Sequence, residues 1–170
     1  MARRSPLDRY SVTQQYLMTR GQAITFPSKY FKIKLQPNEV YGVVIDMPMG
    51  NSVLTTMVSF INGATNLYFN MGGEYTGASQ KYVNLVQATR TLVLYSNNIL
   101  SQCEKVKSYD LPIGNKHFAY LITNKGVYKT EFLPATVAQE SPEKRGFFNL
   151  YQKVLAEVRN CQLKDQASRG

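Results

Sequence analysis

Residues 53–79 read VLTTMVSFINGATNLYFNMGGEYTGAS, and the fold turns on this stretch. Val53 to Ile61 and Thr65 to Met71 are rich in β-branched and aromatic residues, and between them stands Asn62-Gly63. Both residues of that pair tolerate the positive φ of a type I′ turn, so the two runs predict a hairpin of antiparallel strands. The segment that follows, Gly72-Gly73-Glu74-Tyr75-Thr76-Gly77-Ala78-Ser79, has the spacing of a phosphate-binding loop, G-x-x-x-x-G-K-[ST], with Ala78 where the lysine belongs. Such a loop curls backbone N–H groups around phosphates at a helix N-terminus, after a strand of a parallel sheet. Here the lysine is missing, Glu74 brings a negative charge into the cradle, and the preceding strand is antiparallel to its neighbour. Nucleotide hydrolysis is therefore not expected. Gly72, Gly73 and Gly77 read as a reversal from strand to helix, with Ser79 as the helix cap. These four residues remain candidates for binding a lone anion at free helix N–H groups.

Working outward, the helix after Ser79 carries Tyr82, Val83, Leu85, Val86, Leu92, Val93, Ile99 and Leu100 at spacings of three and four, which predicts a helix to Gln102 lying on a sheet. Leu94 and Tyr95 fall just outside that stripe and are candidates for the margin of a second buried face. On the N-terminal side, Val40 to Met47 is apolar almost throughout and stops at Pro48 and Gly50, as expected of a central strand covered on both faces. Tyr30 to Leu35, YFKIKL, alternates Phe31, Ile33 and Leu35 with Lys32 and Lys34, the period of a half-buried strand whose lysines face water or a partner. Ser5-Pro6-Leu7-Asp8 reads as a helix start, with Gly21 as its end and Leu7, Tyr10, Gln14 and Leu17 as a modest stripe. Toward the C-terminus, Lys107 to Asp110 reads as a short strand, and Phe118 to Ile122 with Val127 to Phe132 as a second hairpin around Asn124-Lys125-Gly126. Ser141-Pro142-Glu143 opens a last helix with Phe147, Phe148, Tyr151, Val154, Leu155 and Val158 on its apolar face.

The expected fold is thus α+β, a single antiparallel sheet of about five to six strands with helices packed on it. Residues 1–36 form a basic N-terminal helix and strand of the same domain, 37–160 the core, and 161–170 a frayed tail. A chain of 170 residues, 44% hydrophobic, is long enough for one well-buried core. Its net charge of +9 is unevenly placed. Residues 1–36 hold seven bases and one acid, 37–100 two bases and three acids, and the remainder eleven bases and seven acids. Clustered lysine and arginine attract polyanions such as nucleic acid or anionic lipid. No apolar run of signal-peptide or membrane-spanning length occurs, so a cytoplasmic location is expected. Cys103 and Cys161 lack CxxC spacing and a nearby histidine, which argues against zinc, and no cofactor is expected. Asp46, Asp110 and the lone histidine, His117, are the acid–base candidates, although their spacing implies no pairing.

The element order of helix, three strands, helix, hairpin and helix resembles the profilin-like architecture of roadblock and longin domains over about residues 39–158. The hairpin NGATNLYFNMGG is also similar to a set of uncharacterised bacterial proteins carrying an LYF-x-x-GG stretch. The first resemblance implies a non-catalytic interaction or scaffold module, homodimeric, docking onto a protein partner such as a GTPase or an assembly component. The alternative expectation is a basic nucleic-acid-binding domain, for which twelve tyrosines, eight phenylalanines and the positive charge are the materials.

Overall fold

The structure, a computed structural model, describes residues 9–169. The helix start expected at Ser5 lies outside them. Among the described residues there are seven strands, β1 (Gly42–Pro48), β2 (Leu54–Phe60), β3 (Thr65–Phe69), β4 (Glu74–Tyr75), β5 (Glu104–Val106), β6 (His117–Thr123) and β7 (Gly126–Phe132). They form one sheet in the order β4-β3-β2-β1-β6-β7-β5, with every neighbouring pair antiparallel. The apolar run from Val40 becomes β1, the middle strand, buried from Gly42 to Met47. Both expected hairpins form. The strand count exceeds expectation because two short edge strands, β4 and β5, are added, and β5 ends before the residues at 107–110 that were read as a strand.

The first hairpin turns differently from the type I′ expectation. Phe60 N–H donates to Ala64 O and Gly63 N–H to Phe60 O, both at 2.9 Å, which closes a three-residue loop. Only Gly63 takes positive φ, at 96°, while the Asn62 side chain accepts from Ala64 N–H. A Cβ on Gly63 would stand 2.5 Å from Val86 Cγ1, so this turn also fits against the helix above it.

Among the described residues, three helices cover the two sheet faces: α1 (Gln14–Ile24), α2 (Val83–Tyr95) and α3 (Pro142–Ser168). Alternation along β1 sends Val43, Ile45 and Met47 into a core with Leu85 and Leu92 of α2 and Phe147, Tyr151 and Val154 of α3. Val44 faces the other way, into a second cluster with Ile24 of α1, Val58, Tyr120 and Ile122. Burying side chains of this size stabilises by about 1.5–3 kcal/mol each relative to leaving them in water. Among the described residues, no helix is long and apolar enough to cross a membrane.

Several boundaries depart from the sequence reading. The helix α1 starts at the Thr13 cap, whose Oγ1 accepts from Tyr16 N–H at 3.0 Å, and it runs through Gly21. Its buried side is Tyr16, Arg20 and Ile24, while Leu17 is exposed. The strand expected at Tyr30 to Leu35 is absent: Ser28–Phe31 is a short 3-10 turn, and Lys32 takes the left-handed conformation at φ 51°. Phe31 joins the rings of Phe26, Tyr41 and Phe60, and beyond the bend at Lys32 Ile33 turns out to water. Alternation alone could not reveal that bend. The helix after Ser79 begins only at Val83 and passes into 3-10 turns, Ser96–Asn98 and Leu100–Gln102. At the other end, α3 is capped by Ser141 as expected, and it continues through the segment read as a frayed tail to Ser168.

Candidate functional site

The glycine-rich segment is split by β4. Gly72 and Gly73, with φ of 107° and 90°, make the β3–β4 turn, where Gly72 N–H donates to Phe69 O at 3.0 Å. They line a groove of about 390 Å³ with Thr13, Tyr16, Tyr68 and Glu74, between α1 and the hairpin. Gly77 instead precedes the short 3-10 turn Ala78–Gln80, and Ser79 Oγ accepts from Thr65 N–H at 3.0 Å, tying that turn to the start of β3. The free N–H groups of α2 begin four residues beyond Ser79. The four candidate residues therefore do not gather at one helix N-terminus.

The acid–base candidates lie apart as well. In the β1–β6 register Asp46 stands opposite Phe118, so Asp46 and His117 are on opposite faces of the sheet. Asp46 is fully buried and accepts from Arg20 Nη2 at 2.7 Å and from Thr56 Oγ1 at 2.7 Å. Thr56 in turn meets Tyr16 Oη, whose pKa is raised, first by burial and then by the nearby Asp46 charge. Burial opposes the charge on Arg20, but the carboxylate beside it more than offsets this and holds the guanidinium pKa above its ordinary value. Asp110 contributes only its backbone carbonyl to Arg20, at 3.1 Å, and its side chain is exposed. On the face covered by α2 and α3, His117 Nδ1 lies 2.8 Å from Tyr151 Oη and its ring stacks on Phe148. Burial pushes its pKa down to about 4, so the imidazole is neutral at physiological pH.

Asp46 and His117 are inward-facing and each is hydrogen-bonded to its neighbours, which suits them to hold the layers together. A nucleophile or general base needs in addition an open position for a reacting atom. The outward surfaces differ. Lys32 and Lys34 are exposed, as the sequence led us to expect, although on a bent segment. Leu94 is 56% exposed, whereas Tyr95 turns inward: its hydroxyl donates to Glu143 O and its ring lies against Gly146, where α2 and α3 meet.

Sequence reasoning missed Val83. The spacing of apolar residues predicts it on the buried stripe, yet it is 68% exposed. The signal that locates it is helical phase: Val83 and Leu94 are eleven residues apart, so they project within about 20° of each other and about 16 Å apart along α2. Gln87 and Arg90 lie on the same line, both exposed, and Arg90 leans away to donate to Asn62 O at 3.3 Å. Beside this line runs a groove of about 290 Å³ between α2 and α3, bordered by Asn84, Gln87, Thr91, Leu150, Lys153 and Glu157. Comparison with family models, with curated proteins and with solved structures finds no match to this chain.

Proposed function

We propose that this protein is a non-catalytic interaction module that pairs with a second copy of itself through the outward line of α2. The observation that carries the reading is the make-up of that line: exposed Val83 and Leu94 at its ends, Gln87 and Arg90 between them, and one charge in the whole helix of a chain at +9. Interface cores are depleted in charge and enriched in large apolar side chains. The spacing is also self-complementary. Two copies of α2 crossing antiparallel about a two-fold axis set Val83 of each against Leu94 of the other, and Gln87 against Arg90, the isologous arrangement a symmetric dimer requires.

The element order around β1 to β7 is what supports a profilin-like, roadblock or longin relationship, and with it a protein partner such as a GTPase or assembly component docking on the dimer. A cytoplasmic place belongs to the same proposal. The nucleic-acid alternative has less support, because Tyr10, Tyr16, Tyr41, Tyr120 and Tyr151 are core residues and offer no stacking platform. Sedimentation over a tenfold range of concentration tests the reading. Association that Leu94→Glu abolishes supports it, and a single 19.3 kDa species throughout contradicts it.

A further inference from the structure

We infer that the end of the sheet at the β6–β7 turn docks onto an anionic lipid surface. The segment from Ser28 to Leu35 is pinned there: Ser28 Oγ lies 2.6 Å from Asn124 Oδ1 of the turn, and Phe31 and Leu35 pack into the cluster that includes Ile122 and Val127. Lys29, Lys32 and Lys34 on this segment are all exposed. The opposite side of the turn adds two more lysines and the turn itself a third. Val106 pairs with Val127, which brings Lys107 level with Gly126, and Lys105 Cε passes 2.6 Å from the place a Cβ on Gly126 would take. Lys125 stands in the turn itself. Among the described residues none of these six lysines is in an ion pair, and the acid of β5, Glu104, lies opposite Lys129.

Charge alone would suit any polyanion. The choice of a lipid surface rests on Tyr30 and Ile33, which are 62% and 45% exposed in the middle of the lysines. Lys32 is the one non-glycine residue with positive φ among those described, and the bend it makes aims Ile33 outward between the anchors Phe31 and Leu35. Backbone held in that region costs energy and recurs at functional sites. A single nucleic-acid strand gains chiefly from aromatic stacking and phosphate contacts, to which an exposed aliphatic side chain adds little. At a bilayer interface, by contrast, lysines reach headgroups while an aliphatic and a tyrosine enter the headgroup–acyl boundary.

The test is co-sedimentation of the full chain with vesicles of phosphatidylcholine, with and without one third phosphatidylserine, at physiological salt. Binding to the anionic vesicles only is expected. Lys29→Glu with Lys34→Glu should lower the partition by at least about tenfold, given the contribution of each lysine near such a surface. Ile33→Ser should weaken it several-fold while leaving its salt dependence intact, and Lys81→Glu, beside the β3–β4 edge on the far side of the sheet from the β6–β7 turn, should leave it unchanged. Circular dichroism shows whether each variant keeps its fold, and the wild-type comparison decides the main point by itself. Three outcomes overturn the inference: no pelleting with anionic vesicles, equal pelleting with neutral ones, or binding of a single-stranded oligonucleotide that survives Ile33→Ser without any vesicle binding.

Discussion

The guanidinium of Arg20 lies along the carboxylate of Asp46, with Nη2 2.7 Å from Oδ2 and Nε 3.0 Å from Oδ1, and both side chains are buried. This contact joins α1 to the central strand. Arg20 also donates to the carbonyls of Tyr109 and Asp110, so one side chain holds three separate segments in register. Desolvation makes such a pair a weak source of net stability, and its more specific role is to fix how the helix docks.

Removing one partner leaves the other charged and unpaired in the interior. Arg20→Met and Asp46→Leu should each cost about 3–5 kcal/mol, while the double variant should recover more than half of the summed loss. Urea unfolding followed by circular dichroism gives the comparison. Additive losses would show that the two residues are not coupled.

His117 makes stability depend on pH. Its pKa is lowered from 6.5 to about 4 by burial, so below pH 6.5 the unfolded chain takes up a proton that the folded chain refuses. Stability therefore falls as pH drops through the window from 6.5 to about 4, by on the order of 3 kcal/mol in all. The variant His117→Gln should flatten this slope in unfolding measurements across the window. An unchanged slope would place the dependence elsewhere.

How legible these features were follows from the range of the interactions behind them. The Asn62-Gly63 hairpin, the central strand from Val40 and the Ser141-Pro142 helix start are local, written in adjacent residues, and all three form. The Arg20–Asp46 pair spans 26 residues and has no pattern of its own, and a lone arginine on a helix reads as a solvated one. YFKIKL misled because alternation reports side-chain type and not backbone direction, and the left-handed conformation of Lys32 breaks the extended run in its middle. Val83 is apolar like its neighbours, yet at 100° per residue it falls about half a turn from the buried Leu85 and Leu92 and in line with the exposed Leu94.

The C-terminal turns of α3 illustrate the same limit. Residues 161–168 look polar enough to fray, but Cys161 is buried, and Asp165 accepts hydrogen bonds from both Tyr75 and Tyr82. Those bonds hold the Asp165 pKa below its ordinary value of 3.8, so their contribution is complete above that pH and is lost only as pH falls through the lower folded value. Amides at 161–168 should exchange slowly at neutral pH in the wild type and quickly in Asp165→Ala. Equal exchange in both would leave the two tyrosines without this role.

Ser79 serves the strand and not a phosphate. Since its Oγ accepts from Thr65 N–H, Ser79→Ala should destabilise by about 1–3 kcal/mol by leaving that donor unpaired. It should change neither nucleotide binding nor phosphate release, which calorimetry with ATP and magnesium would check.

The antiparallel pairing of α2 is tested most directly by cross-linking. In a Cys103→Ser, Cys161→Ala background, which removes both free cysteines, including the one that borders the same groove as Val83, cysteines placed at Val83 and Leu94 of the same chain face each other across the proposed two-fold axis, and mild oxidation should give a covalent species at twice 19.3 kDa. Cysteine at either position alone should give little of it. A chain that stays at 19.3 kDa, or that links as readily through the single Leu94→Cys variant, would contradict the pairing and leave the outward line of α2 without its partner.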